Sequence, residues 1–153
     1  MALTVIVLWL LLDQVTKISV QQGLVDRLTI IPGYFYITYV KNDGAAWSIL
    51  AGKTYLLILV AVVALILLGR MLWKAHVKKQ RLLEFALASM IAGALGNLID
   101  RVQFGYVRDF MEWYPFGYSF PIFNVADVAL TLGVIVLLLV SLRAERKGEG
   151  TWR

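Results

Sequence analysis

From Tyr55 to Leu68 the chain is unbroken by a polar residue. With its flanks, the segment Thr54–Trp73 is long enough to cross a bilayer as a helix. Hydrocarbon offers a backbone amide no partner, so a spanning segment must close its own hydrogen bonds. Three further apolar segments accompany it, at about 2–23, 82–100 and 121–142. The chain has 153 residues, 60% of them hydrophobic, more than a soluble domain of that length carries. The expected fold class is an α-helical integral membrane protein, one unit over residues 1–153 with four transmembrane helices. Segment one lacks a basic leader and a small-x-small cleavage site, so it is expected to remain as a span.

Between the spans the character changes. Pro32-Gly33 is a turn signal, and Tyr34 to Val40 is aromatic and β-branched, which favours strand. Lys41-Asn42-Asp43-Gly44 is a second turn. A small β-rich cap, or cradle, is expected over about 25–50. It belongs at the water interface, because an open strand edge cannot face lipid. The stretch at about 101–120 holds Phe104, Tyr106, Phe110, Trp113, Tyr114, Phe116 and Tyr118. It reads as an aromatic interfacial loop, or as a short interfacial helix or lid. Pro121 is expected in the first turn of the fourth helix. In segment three, Ser89-x-x-x-Gly93 and Ala92-x-x-x-Gly96 are small-residue patterns that permit close helix approach.

The net charge of +5 is concentrated in the loop holding Arg70, Lys74, Lys78, Lys79 and Arg81, and in the tail after Arg143. The positive-inside rule places both in the cytoplasm, with both termini. The cap and the aromatic stretch then face outward, although Arg27, Lys41, Lys53, Arg101 and Arg108 lie on that side too. Charge used for orientation implies membrane lipids as surroundings and no nucleic acid. There is no cysteine, and the only histidine, His76, lies in the basic stretch. Disulfides, thiol nucleophiles, a Ser-His-Asp triad and a His-ligated zinc site are not expected.

Segment three ends in Gly96-Asn97-Leu98-Ile99-Asp100-Arg101, and segment four begins with Phe123-Asn124-Val125-Ala126-Asp127. Both carry Asn-x-x-Asp, and Asp109 lies between them. Residues three apart share a helical face, so each Asn can hydrogen-bond towards its Asp. Consecutive antiparallel spans bring these three carboxylates and two carboxamides to one depth, where ionisable groups are costly and usually functional. In segment one, Asp13 and Lys17 are four apart and can pair. That pair reads either as a structural ion pair or as part of the site.

Two close carboxylates in a partly desolvated place cannot both ionise cheaply, and they titrate as a unit. That arrangement suits aspartic peptide hydrolysis, in which one Asp takes a proton from water and the other donates towards the carbonyl oxygen. Physics does not choose the pair among Asp100, Asp109 and Asp127. Asp100 could be held as a structural ion by Arg101, Asp109 is the more accessible by position, and helix capping could explain Asp127 alone. Two alternatives from other classes are a proton-coupled transporter or channel subunit and a non-enzymatic assembly factor. The first would carry ionisable groups at several depths, and the second leaves the carboxylates without a purpose.

At these residues the chain resembles the bacterial lipoprotein signal peptidases, the signal peptidase II family. Five motifs occur in order: Asp13-Gln14-Val15-Thr16-Lys17, Asn42-Asp43-Gly44-Ala45-Ala46-Trp47-Ser48, Gly93 through Arg101, Val107-Arg108-Asp109-Phe110, and Phe123 through Asp127. Ala92 departs from a glycine common in the family. The resemblance implies a four-span fold with an outward β-cradle and an interfacial helix. It implies an aspartic endopeptidase that removes the signal peptide from diacylglyceryl-modified prolipoproteins, on the amino side of the lipidated cysteine, without metal. No cofactor is expected, and the protein is expected to be a monomer. By motif, Asp109 and Asp127 would be the catalytic dyad. Asp13, Lys17, Asn42, Gly44, Asn97, Asp100, Arg101, Asn124 and Ala126 would support or line the site.

Overall fold

The computed structural model describes residues 1–23, 27–45 and 49–146. Val25, at the expected start of the cap, falls outside that range, as do Ala46, Trp47, Ser48 and the tail from Lys147. Four helices dominate: α1 (Ala2–Gly23), α2 (Thr54–Val77), α3 (Arg81–Phe104) and α4 (Val125–Arg146). Each is long and apolar enough to cross a membrane, with mean hydropathy from 1.7 to 2.7. Three antiparallel strands form one sheet in the order β1 (Leu28–Ile31), β2 (Phe35–Asn42) and β3 (Val107–Trp113). The expected architecture of four apolar helices with a small sheet is present.

Helix α3 is the central post. It runs parallel to α1, as Trp9 with Ser89 and Lys17 with Asp100 show. It runs antiparallel to α4, where Gly93 meets Ala126 and Gly133 meets Met90. The small residues explain the approach. A Cβ added at Gly96 would lie 2.6 Å from Asp13 Oδ2, and one at Gly133 would lie 2.7 Å from the Ala86 carbonyl oxygen. One at Gly93 would collide with the Ala126 carbonyl oxygen. Of the small residues noted in segment three, Gly93 and Gly96 make the close approaches, while Ser89 accepts a hydrogen bond from Trp9 Nε1 (3.2 Å). At the opposite end, Ala75, Leu83 and Leu87 form an apolar cluster with Leu68, Met71 and Leu72 of α2. The rest of α2 turns Leu59, Val60, Val63, Ile66 and Leu67 outward, as suits a helix facing lipid.

The stretch at about 101–120 is built differently from the expected loop or interfacial helix. The first residues are the last turn of α3, which ends at Gly105 in the left-handed region (φ 81°). Then comes β3, carrying Asp109, and only Pro115–Gly117 forms a short 3₁₀ turn. The physical reason is pairing: β2 has a second edge, and β3 satisfies it from Phe35↔Trp113 to Asn42↔Val107. Most of β3 is buried on both faces, so its polar residues do not alternate as on a half-exposed strand. Helix α4 starts at Val125, and Pro121 precedes it. Residues 120–123 instead run beside β3: the Phe120 amide donates to the Trp113 carbonyl (2.9 Å), and Phe123 and Met111 exchange backbone bonds (2.8 and 3.1 Å).

The α3–α4 contact can be tested. Gly93→Ala puts a methyl group against a backbone oxygen and is expected to cost about 1–3 kcal/mol, seen as a lower unfolding temperature in detergent. Gly69→Ala on α2, where an added Cβ meets nothing, is expected to be neutral or slightly stabilising.

Candidate active site

The site lies where the sheet meets the ends of α1 and α3 and the start of α4. Its first determinant is a bulge in β2. Ile37 pairs with Met111, but Val40 pairs with Asp109, so Thr38 and Tyr39 together oppose Phe110. Paired residues share a face, so an unbroken ladder would have put Asn42 on the face away from Asp109. The extra residue reverses this, as bulges beside functional sites commonly do. Asn42 Nδ2 donates to Asp109 Oδ2 at 2.8 Å. Asn42 Oδ1 accepts from the Gly44 amide (3.0 Å), closing the turn, and the Gly44 carbonyl accepts from Arg101 (2.7 Å).

On the other face of the sheet, Glu112 accepts hydrogen bonds from Arg27 (2.7 Å), Thr38 (2.8 Å) and Tyr114 (2.6 Å). Burial acts to raise this carboxyl's pKa, but the three donors outweigh it and hold it below the usual range. Arg27 also stacks on the Tyr36 ring, 3.6 Å from its centroid. These contacts clamp the residue before β1 to β2 and β3.

Asn124 joins the two halves. As the residue before α4, it accepts from the Asp127 amide through Oδ1 (3.1 Å), while its own amide donates to Asp127 Oδ2 (3.1 Å). This is a reciprocal N-terminal cap, with a carboxylate at the positive end of the helix dipole. The Asn124 side-chain amide then reaches Asp109 Oδ1 at 2.6 Å and Asn97 Oδ1 at 3.1 Å. Asn97 donates to Asp127 Oδ1 at 2.8 Å. Asp109 and Asp127 are therefore tied through one fully buried asparagine.

Asn97 does not bond towards Asp100, as the spacing had suggested. Asp100 is already saturated: Lys17 lies 3.3 Å away, and Arg108 contacts it with its backbone amide (2.9 Å), Nε (3.2 Å) and Nη2 (2.7 Å). Arg101 is not its ion-pair partner, because adjacent helix residues do not face each other. Lys17 also bonds Asp13 (2.9 Å) and Asn97 (3.2 Å), and Asp13 accepts from the Ala126 amide (2.9 Å). All eleven residues expected at the site thus fall in one connected region. Sequence reasoning did not assign Arg108, Gln14 or Gln21 to it. Arg108 had been counted among the outward charges and as the variable position of the motif Val107-Arg108-Asp109-Phe110, and its place beside Asp109 was the available signal.

Asp109, Asp127, Asn42, Asn97 and Arg101 open onto one cavity of about 700 Å³. Its remaining walls are mostly apolar: Trp113, Phe120, Ile122 and Phe123, then Val128, Leu132 and Ile135 down α4. Asp109 is less accessible than its position suggested, only 3% exposed, whereas Asp127 is half-buried. Burial pushes the Asp109 carboxyl up to about 6, and the negative field of Asp127 adds to this, against the hydrogen bonds from Asn42 and Asn124. Among the described residues no His, Cys, Asp or Glu group could hold a metal ion. The arrangement can hold a proton on one carboxyl beside a second carboxylate, at the polar head of a mostly apolar cavity.

Residues 5–143 match the family model described as signal peptidase (SPase) II. The chain belongs to the signal peptidase II family. It is a membrane aspartic peptidase. The lipoprotein signal peptidase of Staphylococcus carnosus is 44% identical over 142 residues, 92% of this chain and 89% of that protein. That of Listeria monocytogenes serotype 4b is 42% identical over 141 residues, 91% of each. A solved bacterial membrane enzyme superposes with a TM-score of 0.84 at 37% identity, over 94% of this chain and 88% of its own. Another gives 0.81 at 37% identity, over 93% and 92%.

The raised Asp109 pKa makes stability depend on pH. Folding raises this pKa from 3.8, so the folded state binds the proton more tightly than the unfolded chain. The group's contribution to stability is full below about 4 and is lost as pH rises through about 6. Infrared difference spectra are expected to show a protonated carboxyl that disappears through about pH 6 and is missing in Asp109→Asn.

Proposed function

We propose that this peptidase removes the signal peptide from diacylglyceryl-modified prolipoproteins, cutting on the amino side of the lipidated cysteine, with Asp109 and Asp127 as its catalytic dyad. The observation that carries this reading is that both carboxylates open onto one cavity and are held there through Asn124. The family membership and the names of the Staphylococcus and Listeria relatives supply the substrate class.

In this reading Asp109, whose pKa is raised, holds the proton. Asp127, at the N-terminus of α4, is the base. Asp127 takes a proton from a water, whose oxygen attacks the scissile carbonyl carbon. Asp109 gives its proton to the carbonyl oxygen, forming a neutral gem-diol. The gem-diol then collapses: a hydroxyl proton returns to Asp109, the C–N bond breaks, and the amine of the lipidated cysteine leaves with the proton held by Asp127. Asn42, Asn97 and Asn124 keep the carboxyl groups in place. Asp13, Lys17, Asp100, Arg101, Gly44 and Ala126 hold the elements that carry them.

The membrane placement belongs to the same proposal. The basic residues between α2 and α3 and after α4 favour a cytoplasmic location for that end and for both termini. The cavity then opens at the extracytoplasmic face, within reach of water and of a substrate anchored by acyl chains. The same proposal takes the enzyme to act as a monomer.

Purified protein is expected to cut a diacylglyceryl-modified precursor and to leave the unmodified precursor intact. Asp109→Asn and Asp127→Asn are each expected to lower kcat by about 10³-fold or more while preserving fold and substrate binding. Gel analysis of the released signal peptide checks both. Activity retained in Asp109→Asn but lost in Asp100→Asn would redraw the dyad around Asp100. A folded wild type that never cuts the lipidated precursor would remove the substrate assignment.

A further inference from the structure

Arg108 takes no part in the proposed reaction, yet its cationic side chain is only 2% exposed. It follows Val107 and precedes Asp109 on β3, so its side chain leaves the sheet on the face opposite the cavity. It is absent from the cavity wall. Its guanidinium contacts Asp100 twice, Gln21 Oε1 at 3.0 Å and Gln14 Oε1 at 2.9 Å, and lies 4.7 Å from the Phe104 ring centroid. Two helices therefore grip one side chain of the strand that presents Asp109.

The charges around it balance. Asp13 and Asp100 are matched by Lys17 and Arg108, all four at least 98% buried. Lys17 is shared, since it also donates to Asn97, the asparagine on Asp127. Without Arg108, one cation would serve two carboxylates and an amide, and the layer beside the dyad would carry a net negative charge. Buried negative charges left unpaired are costly and raise the pKa of nearby acids.

We infer that Arg108 is a positioning residue for the dyad: its guanidinium fork locks the strand bearing Asp109 against α1 and α3 and neutralises the buried carboxylate layer behind it. This rests on the assignment of Asp109 and Asp127 as the reacting pair. The charged and titratable groups around Arg108 are Asp13 and Lys17 on α1, Asp100 on α3, and Tyr39 and Lys41 on β2. Those around Asp109 are Asp127 on α4, Lys17 on α1 and Arg101 on α3.

The test is steady-state cleavage of lipidated precursor against pH, normalised to folded protein. Arg108→Gln is expected to lower kcat by about 30-fold with KM within about twofold, and to move the alkaline limb of the profile upward, because the dyad then titrates in a more negative field. Arg108→Lys keeps the charge but not the fork. It is expected to lose about fivefold to tenfold in kcat with the profile unmoved. The pair Arg108→Gln with Asp100→Asn restores neutrality and is expected to return the limb to its wild-type position without recovering kcat. Wild-type kcat and profile in folded Arg108→Gln would overturn the inference. So would a loss of kcat with an unmoved limb, which is what a structural role alone produces. If Arg108→Gln does not fold, Arg108→Lys decides: wild-type kcat there removes the positioning role. Failure of the dyad assignment is read separately, as cleavage by Asp109→Asn.

Discussion

A buried charge needs a partner, and in this protein that requirement organises the end of the bundle where the reaction site lies. Lys17 is fully buried and touches Asp13, Asp100 and Asn97. Through those three contacts α1 and α3 are joined to each other and to the residues around Asp127. Asp13 in turn caps the Ala126 amide at the start of α4. Each of these groups would be expensive alone in a low-dielectric interior. Together they leave no buried side-chain polar atom without a hydrogen bond among the described residues. The network also explains the glycines: Gly96 has no Cβ because Asp13 occupies that space.

The sheet solves a second problem, which is to bring a carboxylate from a connecting segment to a helix terminus. Three devices act in series. The bulge at Thr38 and Tyr39 turns Asn42 to the face of Asp109. The Glu112 cluster fixes the strands from the opposite face. The backbone bonds between Phe123 and Met111 then set the chain on course for the Asn124 cap. The cavity formed in this way is mostly apolar along α4, where Thr131 also lines it, and most polar at its head, where Arg101 and the asparagines sit. Such a shape excludes bulk water from one carboxyl while leaving the other half-exposed, and it separates the environments of two chemically identical groups.

Much of this was legible in the residues. Four apolar segments, the turn signals around the cap and the positions of Asp13, Lys17, Asn97, Asp100, Asn124 and Asp127 follow from composition and periodicity. Helix spacing brings Asn124 and Asp127 together, and the side chain of each does accept from the other's backbone amide. The same spacing misled for Asn97 and Asp100, because partners on other helices compete successfully for both. The aromatic stretch was harder to read. Its residues have interfacial character, but a strand buried on both faces shows no alternation, and its partner lies some 70 residues away in sequence.

The four spans and the motifs that mark the family are set by the residues alone, because length and apolar pattern act locally and a membrane admits few backbone solutions. Tertiary structure decided that Asp109 rides on a strand, that Asp100 belongs to Lys17 and Arg108, and that Asn124 is the link between Asp109 and Asp127. Those outcomes depend on register, on a one-residue bulge and on which donors reach a carboxylate first across helix interfaces. Such contacts are non-local, and their energies are decided only when all the competing partners are in place.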